Sequence, residues 1–267
     1  MVANLVREWG KTWLAFGVIE GKCLLFPLAI LAGLAFTQAV QIPFVARYDA
    51  MLLYCVAIQW WMVRRGMETT SELRAVCVFH ILGLALELER TSRGAWSYPD
   101  PGLLRIGPVP LFSGFMYASI ASYILQAWRR FDLSFERLPS AWISAPLAIA
   151  GYLSFFIARE SRYLLIALIL LSLWRAKVFF SVRTQRFSMP LGVSFAGIGV
   201  AIWIGENAGT YLGAWRYPHQ MQQWHPVEGT KAAAWFLLVV VGFLIIERYK
   251  AWRAWAEQQS PFLTGAR

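Results

Sequence analysis

The sequence predicts an all-α integral membrane protein. It reads as a polytopic helical bundle of about eight transmembrane helices, built as two parallel four-helix repeats with both termini in the cytoplasm. Three observations predict this. The 267 residues are 58% hydrophobic and only 15% charged, against about 45–50% and about 25% in an ordinary soluble domain. Apolar runs recur from Leu24 to Ile246 instead of forming one greasy anchor. A thirteen-residue frame occurs twice, 119 residues apart.

The elements follow in chain order. Residues 1–22 mix Arg7, Glu8, Lys11 and Glu20 with Trp9, Trp13, Leu14 and Phe16, the composition of an amphipathic helix lying on a membrane surface. They lack the short apolar core and small-residue cleavage site of a secretory signal. A spanning helix needs about 20 mostly apolar residues. Eight segments qualify: 24–46, 48–63, 73–92, 108–128, 141–158, 162–180, 188–210 and 231–249. The first repeat takes residues 23–130, the second 131–250, and 251–267 form a cytoplasmic tail.

Basic residues orient the bundle. With the N-terminus inside, Arg47, Arg90, Arg93, Arg105, Arg159, Arg162, Arg216 and Lys231 fall outside. The other seventeen of the 25 Lys and Arg fall inside, as the positive-inside rule requires. A seven-helix count would place the C-terminal ERYKAWR on the wrong side. The net charge of +10 therefore reads as topology and attraction to anionic membrane lipid. No nucleic-acid-binding motif accompanies it, so no nucleic-acid partner is expected. Cys23, Cys55 and Cys77 lie in or beside apolar runs without metal or redox spacing.

The repeated frame is E-x3-T-x2-G-A-W-x-Y-P, at residues 87–99 and again at 206–218. It aligns Glu87 with Glu206, Thr91 with Thr210, Gly94 with Gly213, Trp96 with Trp215 and Tyr98 with Tyr217. Pro27-Leu28-Ala29-Ile30 and Pro146-Leu147-Ala148-Ile149 share the offset. Four helices per copy is an even number, so both copies face the same way, a known membrane architecture.

Glu87 and Glu206 fall one to two turns from the outer ends of their helices, where an ionised carboxyl costs up to about 2.5–3.5 kcal/mol on insertion scales. Such groups face a cavity or the bundle interior. A desolvated carboxyl holds its proton more tightly, which suits it to acid/base work. Thr91 and Thr210, four residues on, share the face of their Glu. Trp96, Tyr98, Trp215 and Tyr217 sit where interfacial aromatics do. Either the two acids are a functional pair, or each ties its helix to the adjacent loop and GAWxYP only caps the interface. His80, seven residues before Glu87, suggests a proton path or a buried packing residue. Asn207 and the loop residue Arg105 are further candidates to contact a ligand. Arg159-Glu160-Ser161-Arg162 reads as a tight charged turn. The run VPLFSGFMYASIASYI reads as close helix packing. Three His without paired spacing predict no metal, and no dinucleotide or phosphate motif predicts a cofactor.

Two stretches, about 80–135 with ELERTSRGAWSYP and about 189–240 with IWIGENAGTYLGAWRYP, resemble the YoaT-like bacterial integral membrane proteins, a family of unknown function. The resemblance implies a bacterial inner-membrane protein. A weaker likeness links Glu87, Gly94, Trp96, Tyr98 and Gly107-Pro108-Val109-Pro110-Leu111 to the membrane-bound carotenoid hydratases and heterodimer-type lycopene cyclases, although the Pro-x-Glu-Glu element of the cyclases is absent. Three functions compete. One is an enzyme acting by acid/base chemistry on an isoprenoid, carotenoid-like or lipid substrate. The second is a small-solute carrier or channel along the pseudo-twofold axis. The third is a structural subunit with partner membrane proteins or further copies of itself.

Overall fold

The computed structural model describes residues 2–157 and 161–259. Among them are nine α-helices: α1 (Val2–Cys23), α2 (Leu25–Ala39), α3 (Arg47–Arg64), α4 (Thr70–Ser92), α5 (Ser113–Arg130), α6 (Ala141–Leu153), α7 (Ser161–Leu173), α8 (Leu191–Tyr211) and α9 (Lys231–Gln259). Each of the eight predicted apolar segments contains one helix, and the predicted amphipathic segment is α1.

The lengths change the picture. α8 and α9 are long and apolar enough to cross a membrane. α1 and α2 meet that test only together, across a 64° bend. α6 and α7 have 13 residues each, about 20 Å at 1.5 Å per residue, against a hydrocarbon core of about 30 Å. Eight full-length straight spans are therefore not present among the described residues.

The fold is mostly helical but not all-α. Short strands β1 (Arg105–Ile106) and β2 (Val109–Pro110) pair as a hairpin. Strands β3 (Ser134–Glu136), β4 (Lys177–Val182) and β5 (Gln185–Pro190) form an antiparallel sheet. The segments predicted as helix at 162–180 and 188–210 each lose one end to this sheet. The reason is local. Residues 177–182 are rich in β-branched and aromatic side chains, Val178 and Val182 are buried on one face, and Arg183 takes the turn with φ of 56°. Phe180 and Phe131 pack on Phe16 of α1, and Arg183 bonds Glu8 at 3.1 Å. The sheet and α1 thus pack against each other, with α1 also meeting α5. Of the predicted charged turn, Arg159 and Glu160 lie outside the described residues.

The helices pair similarly in the two halves. α4 packs on α5 and α8 on α9, α2 meets α3 and α5, and α6 meets α7 and α9. α5 and α9 touch each other across the middle. α4 starts with a capping box: Glu72 N donates to the Thr69 hydroxyl at 3.2 Å and Thr69 N to the Glu72 carboxylate at 2.7 Å. α4 and α8 both end at a glycine with φ of 69°, Gly94 and Gly213, a backbone conformation open mainly to glycine.

Close approach of α4 and α5 rests on two glycines. A Cβ on Gly83 would meet the Tyr117 side chain at 2.5 Å, and one on Gly114 would meet His80 at 2.8 Å. Gly197 has nothing within 4 Å. Gly83→Ala is expected to cost about 1–3 kcal/mol from overpacking, and Gly197→Ala to gain up to about 1 kcal/mol from helix propensity. Thermal unfolding in detergent should lower the Tm for the first and hold or raise it for the second.

Candidate functional site

The two frame glutamates are buried acids. Glu87 on α4 is 2% exposed and Glu206 on α8 is 5% exposed. Both line one cavity of about 770 Å³, within the size range of small-molecule sites. Its walls are mostly aliphatic, from α2, α5, α8 and α9, with Leu31, Ile120, Ile198 and Leu238 among them.

A buried carboxylate must be hydrogen-bonded to be tolerated, and both are. Glu87 accepts from Trp96 Nε1 at 2.7 Å, Tyr98 Oη at 2.6 Å and Tyr117 Oη at 2.7 Å. Glu206 accepts from Tyr217 Oη and from Trp235 Nε1 at 2.7 Å. In each copy the Tyr of GAWxYP reaches back eleven residues to its own Glu, because the glycine turn after the helix folds the loop over the helix end. The other donors differ between copies. Trp215 does not bond Glu206 but packs over Gly209, and Trp235 of α9 takes that place.

Rings join the two acids. Trp96, bonded to Glu87, lies 5.7 Å from Tyr217, bonded to Glu206. Tyr117, bonded to Glu87, lies 6.2 Å from Trp235, bonded to Glu206. The loops meet in a two-way backbone bridge: Ser97 N to Arg216 O and Arg216 N to Ser97 O, both 2.9 Å. These positions are themselves 119 apart.

The other predicted site residues lie differently. Thr91 donates to the backbone carbonyl of Glu87 at 2.7 Å, not to its carboxyl. Thr210 donates to the Asn207 carbonyl at 3.1 Å and accepts from Trp224. A short hydroxyl four residues along a helix reaches its own backbone more easily than a side chain pointing away. Asn207 holds Val227 N at 2.9 Å and so anchors the following loop. Arg105 donates to Pro108 O within the β1–β2 hairpin at 2.7 Å. None of these four lines the cavity. His80 does not assist Glu87. It packs against Phe115, ring centres 4.5 Å apart, in the space left by Gly114, and lies away from the cavity.

Sequence reasoning missed Tyr117 and Trp235 as donors and Lys231 as a wall residue. The signal for Tyr117 was the small residue facing it, Gly83, which lets the ring lie between α4 and α5. A separate acid, Glu68, is 2% exposed and accepts from Gln59 and Ser122. Its repeat counterpart is Phe187, so nothing in the duplication flagged it.

Two measurements test this geometry. Tyr217→Phe leaves Glu206 with the Trp235 donor and is expected to cost about 1–3 kcal/mol, read as a lowered Tm. Ser97 and Arg216 form a hydrogen-bonded antiparallel pair, whose Cα atoms lie about 5.5 Å apart, within disulfide reach. The double variant Ser97→Cys, Arg216→Cys should oxidise to an internal cross-link with a mass loss of two hydrogens. Failure to cross-link would show that the two loops do not meet.

Comparison with known proteins gives the family. The DUF817 family, described as proteins of unknown function, matches residues 12–243. The protein YoaT of Bacillus subtilis (strain 168) is 46% identical over 249 residues, covering 92% of this chain and 93% of that protein. Two solved structures of MvINS, a mycobacterial Insig homolog from Mycobacterium vanbaalenii, are similar at 13% identity. One is a cross-linked trimer, with a TM-score of 0.49 over 69% of this chain and 96% of that chain. The other has a TM-score of 0.48 over 66% and 92%. The likeness to carotenoid enzymes receives no support from these matches. The chain belongs to the DUF817 family.

Proposed function

We propose that this is an integral membrane protein of the bacterial inner membrane, that it takes a long apolar ligand into its central cavity from the side, and that the carboxyl pair exchanges a proton with that ligand. The observation that carries this reading is a mostly aliphatic cavity that reaches both carboxyls. Leu28, Ile157, Tyr163 and Ile204 line it and are also well exposed, so its wall is open on the flank of the bundle. The flank itself is greasy: Leu53, Trp60, Leu164, Leu171, Val193 and Val200 are exposed, which water would penalise and lipid would not. A ligand dissolved in the bilayer could enter there without crossing water.

Of the two acids, Glu206 is the better placed to touch a ligand. A carboxylate offers about four lone-pair sites. Glu87 has three accounted for by fixed donors and Glu206 two. General acid/base transfer needs a group within hydrogen-bond reach of the reacting atom, and Glu206 retains the capacity for it. We read the two halves as copies of one four-helix unit, supported by the shared frame, the matched helix pairs and the Ser97–Arg216 bridge. A hydrated solute path is less well supported, because Leu31, Ile120, Ile198 and Ile202 give the mid-cavity wall no polar groups.

Lipid mass spectrometry on purified protein tests this. Wild type should carry a defined long-chain species enriched over bulk lipid. Glu206→Gln, an isosteric change that removes the proton, should fold with near-wild-type Tm and carry a different ratio of that species to its conversion product. Wild type carrying only bulk lipid in bulk proportions would overturn the proposal.

A further inference from the structure

The cavity's outer end departs from the duplication in one informative way. In the first half, Phe112 is fully buried between Tyr48 and Tyr98, ring centres 5.2 and 6.2 Å away. Its repeat counterpart is Lys231, the first residue of α9. The Lys231 ammonium stands 4.5 Å from the ring centre of Tyr217 and 5.3 Å from that of Trp96. An apolar plug in one copy is thus a cation in the other, and it lines the cavity.

Two more cations line the same end, Arg90 and Arg93. Both come from the last turn of α4 and the residue after it, and both reach across to the end of α6. Arg90 donates to Phe155 O, and Arg93 donates to Phe156 O at 3.1 Å and pairs with Glu89. A guanidinium has five N–H donors, so a single carbonyl leaves most of Arg90's capacity in place. The acids at this end are Glu87 and Glu206, and both are met by phenol and indole donors as described above. At the far end the cavity reaches Glu20 and Tyr123, joined by a 2.7 Å hydrogen bond. Between the ends the wall is mostly aliphatic, and the Ser119 hydroxyl there is bonded to the Met116 carbonyl.

Resting on the reading of the cavity as a ligand site, we propose that the ligand is an amphiphile with an anionic head, a carboxylate or phosphate monoester. Its head docks against Lys231 and Arg90, and its chain runs along α5 toward Tyr123. Cation, aromatic and aliphatic surfaces occur in the order such a molecule presents its parts.

The test uses the full-length protein in detergent and four probes with the same hexadecyl chain: the carboxylic acid, the phosphate, the alcohol and the amine. Binding is measured by calorimetry. A charge-assisted contact is worth about tenfold in affinity, so the acid, the phosphate or both should bind about tenfold tighter than the alcohol, with the amine weakest. The stronger of the two anions identifies the head. Lys231→Met should bring the anion to the level of the alcohol while alcohol binding stays within about twofold, and Lys231→Arg should keep the preference. Equal binding of acid, phosphate and alcohol, or a preference for the amine, would overturn the anionic head and leave the apolar cavity reading standing. No binding of any hexadecyl probe would overturn both. The wild-type ranking decides the matter even if Lys231→Met fails to fold.

Discussion

Two carboxyls inside an apolar bundle set the terms for the rest of the molecule. Each must find donors where no water is guaranteed, and aromatic N–H and O–H groups supply them because an indole or phenol carries its donor on a large apolar body. Those donors come from three places: the GAWxYP loops, α5 and α9. Trp96 against Tyr217 and Tyr117 against Trp235 make two separate routes from one acid to the other. The acids are therefore not incidental to the fold. They fix how the loops fold back, how α5 sits on α4, and where α9 meets α8.

The two occurrences of the frame share part of their bonding and differ in the rest. The bond from Tyr98 to Glu87 recurs as Tyr217 to Glu206, and helix pairs recur with it. The remaining donors do not: Tyr117 corresponds to Phe236 and Trp235 to Met116. Close packing shows the same trade. On one side Gly114 of α5 admits His80 of α4. On the other, Gly199 of α8 admits the backbone of Phe236 on α9, 3.0 Å from where a Cβ would stand. His80 and Gly199 are counterparts, so the small and large partners have changed helices. Residues of both frames line one shared cavity whose two ends are not alike.

Much of this was legible in the sequence. Apolar runs located eight helices because burial and lipid exposure both demand the same residues over a helix length. The repeat located the acids and the Tyr that serves each. What was not legible depends on distance through space. Thr91 and Thr210 share a helix face with their glutamates, but spacing does not say that a hydroxyl will prefer its own backbone. His80 shares Glu87's face by heptad spacing, yet the face it meets is decided by Gly114 on another helix. The strands at 177–190 were hidden because KVFFSV is as hydrophobic as a helix end, and its alternation is too short to outweigh that. Glu68 sits in a loop, where an acid is ordinarily solvated, and only packing against Gln59 and Ser122 buries it.

Four arginines have a structural use in common, each donating to backbone carbonyls. Arg47, with a side chain 12% exposed, pairs with Asp100 at 2.6 Å and donates to the carbonyls of Leu212 at 2.7 Å and Gly213 at 3.3 Å. It thereby caps the C-terminal end of α8, where unpaired carbonyls and the helix dipole favour a cation. Arg90 and Arg93 do the same for the carbonyls of Phe155 and Phe156 just beyond α6, and Arg105 closes the β1–β2 hairpin. The three capping arginines lie before residue 131 and serve carbonyls beyond it, with Arg47 also donating to Leu34 O at 3.3 Å. Helix ends that stop short, as α6 does after 13 residues, expose carbonyls that need them. Arg47, Arg90 and Arg93 thus bind the N-terminal part of the chain to its C-terminal part.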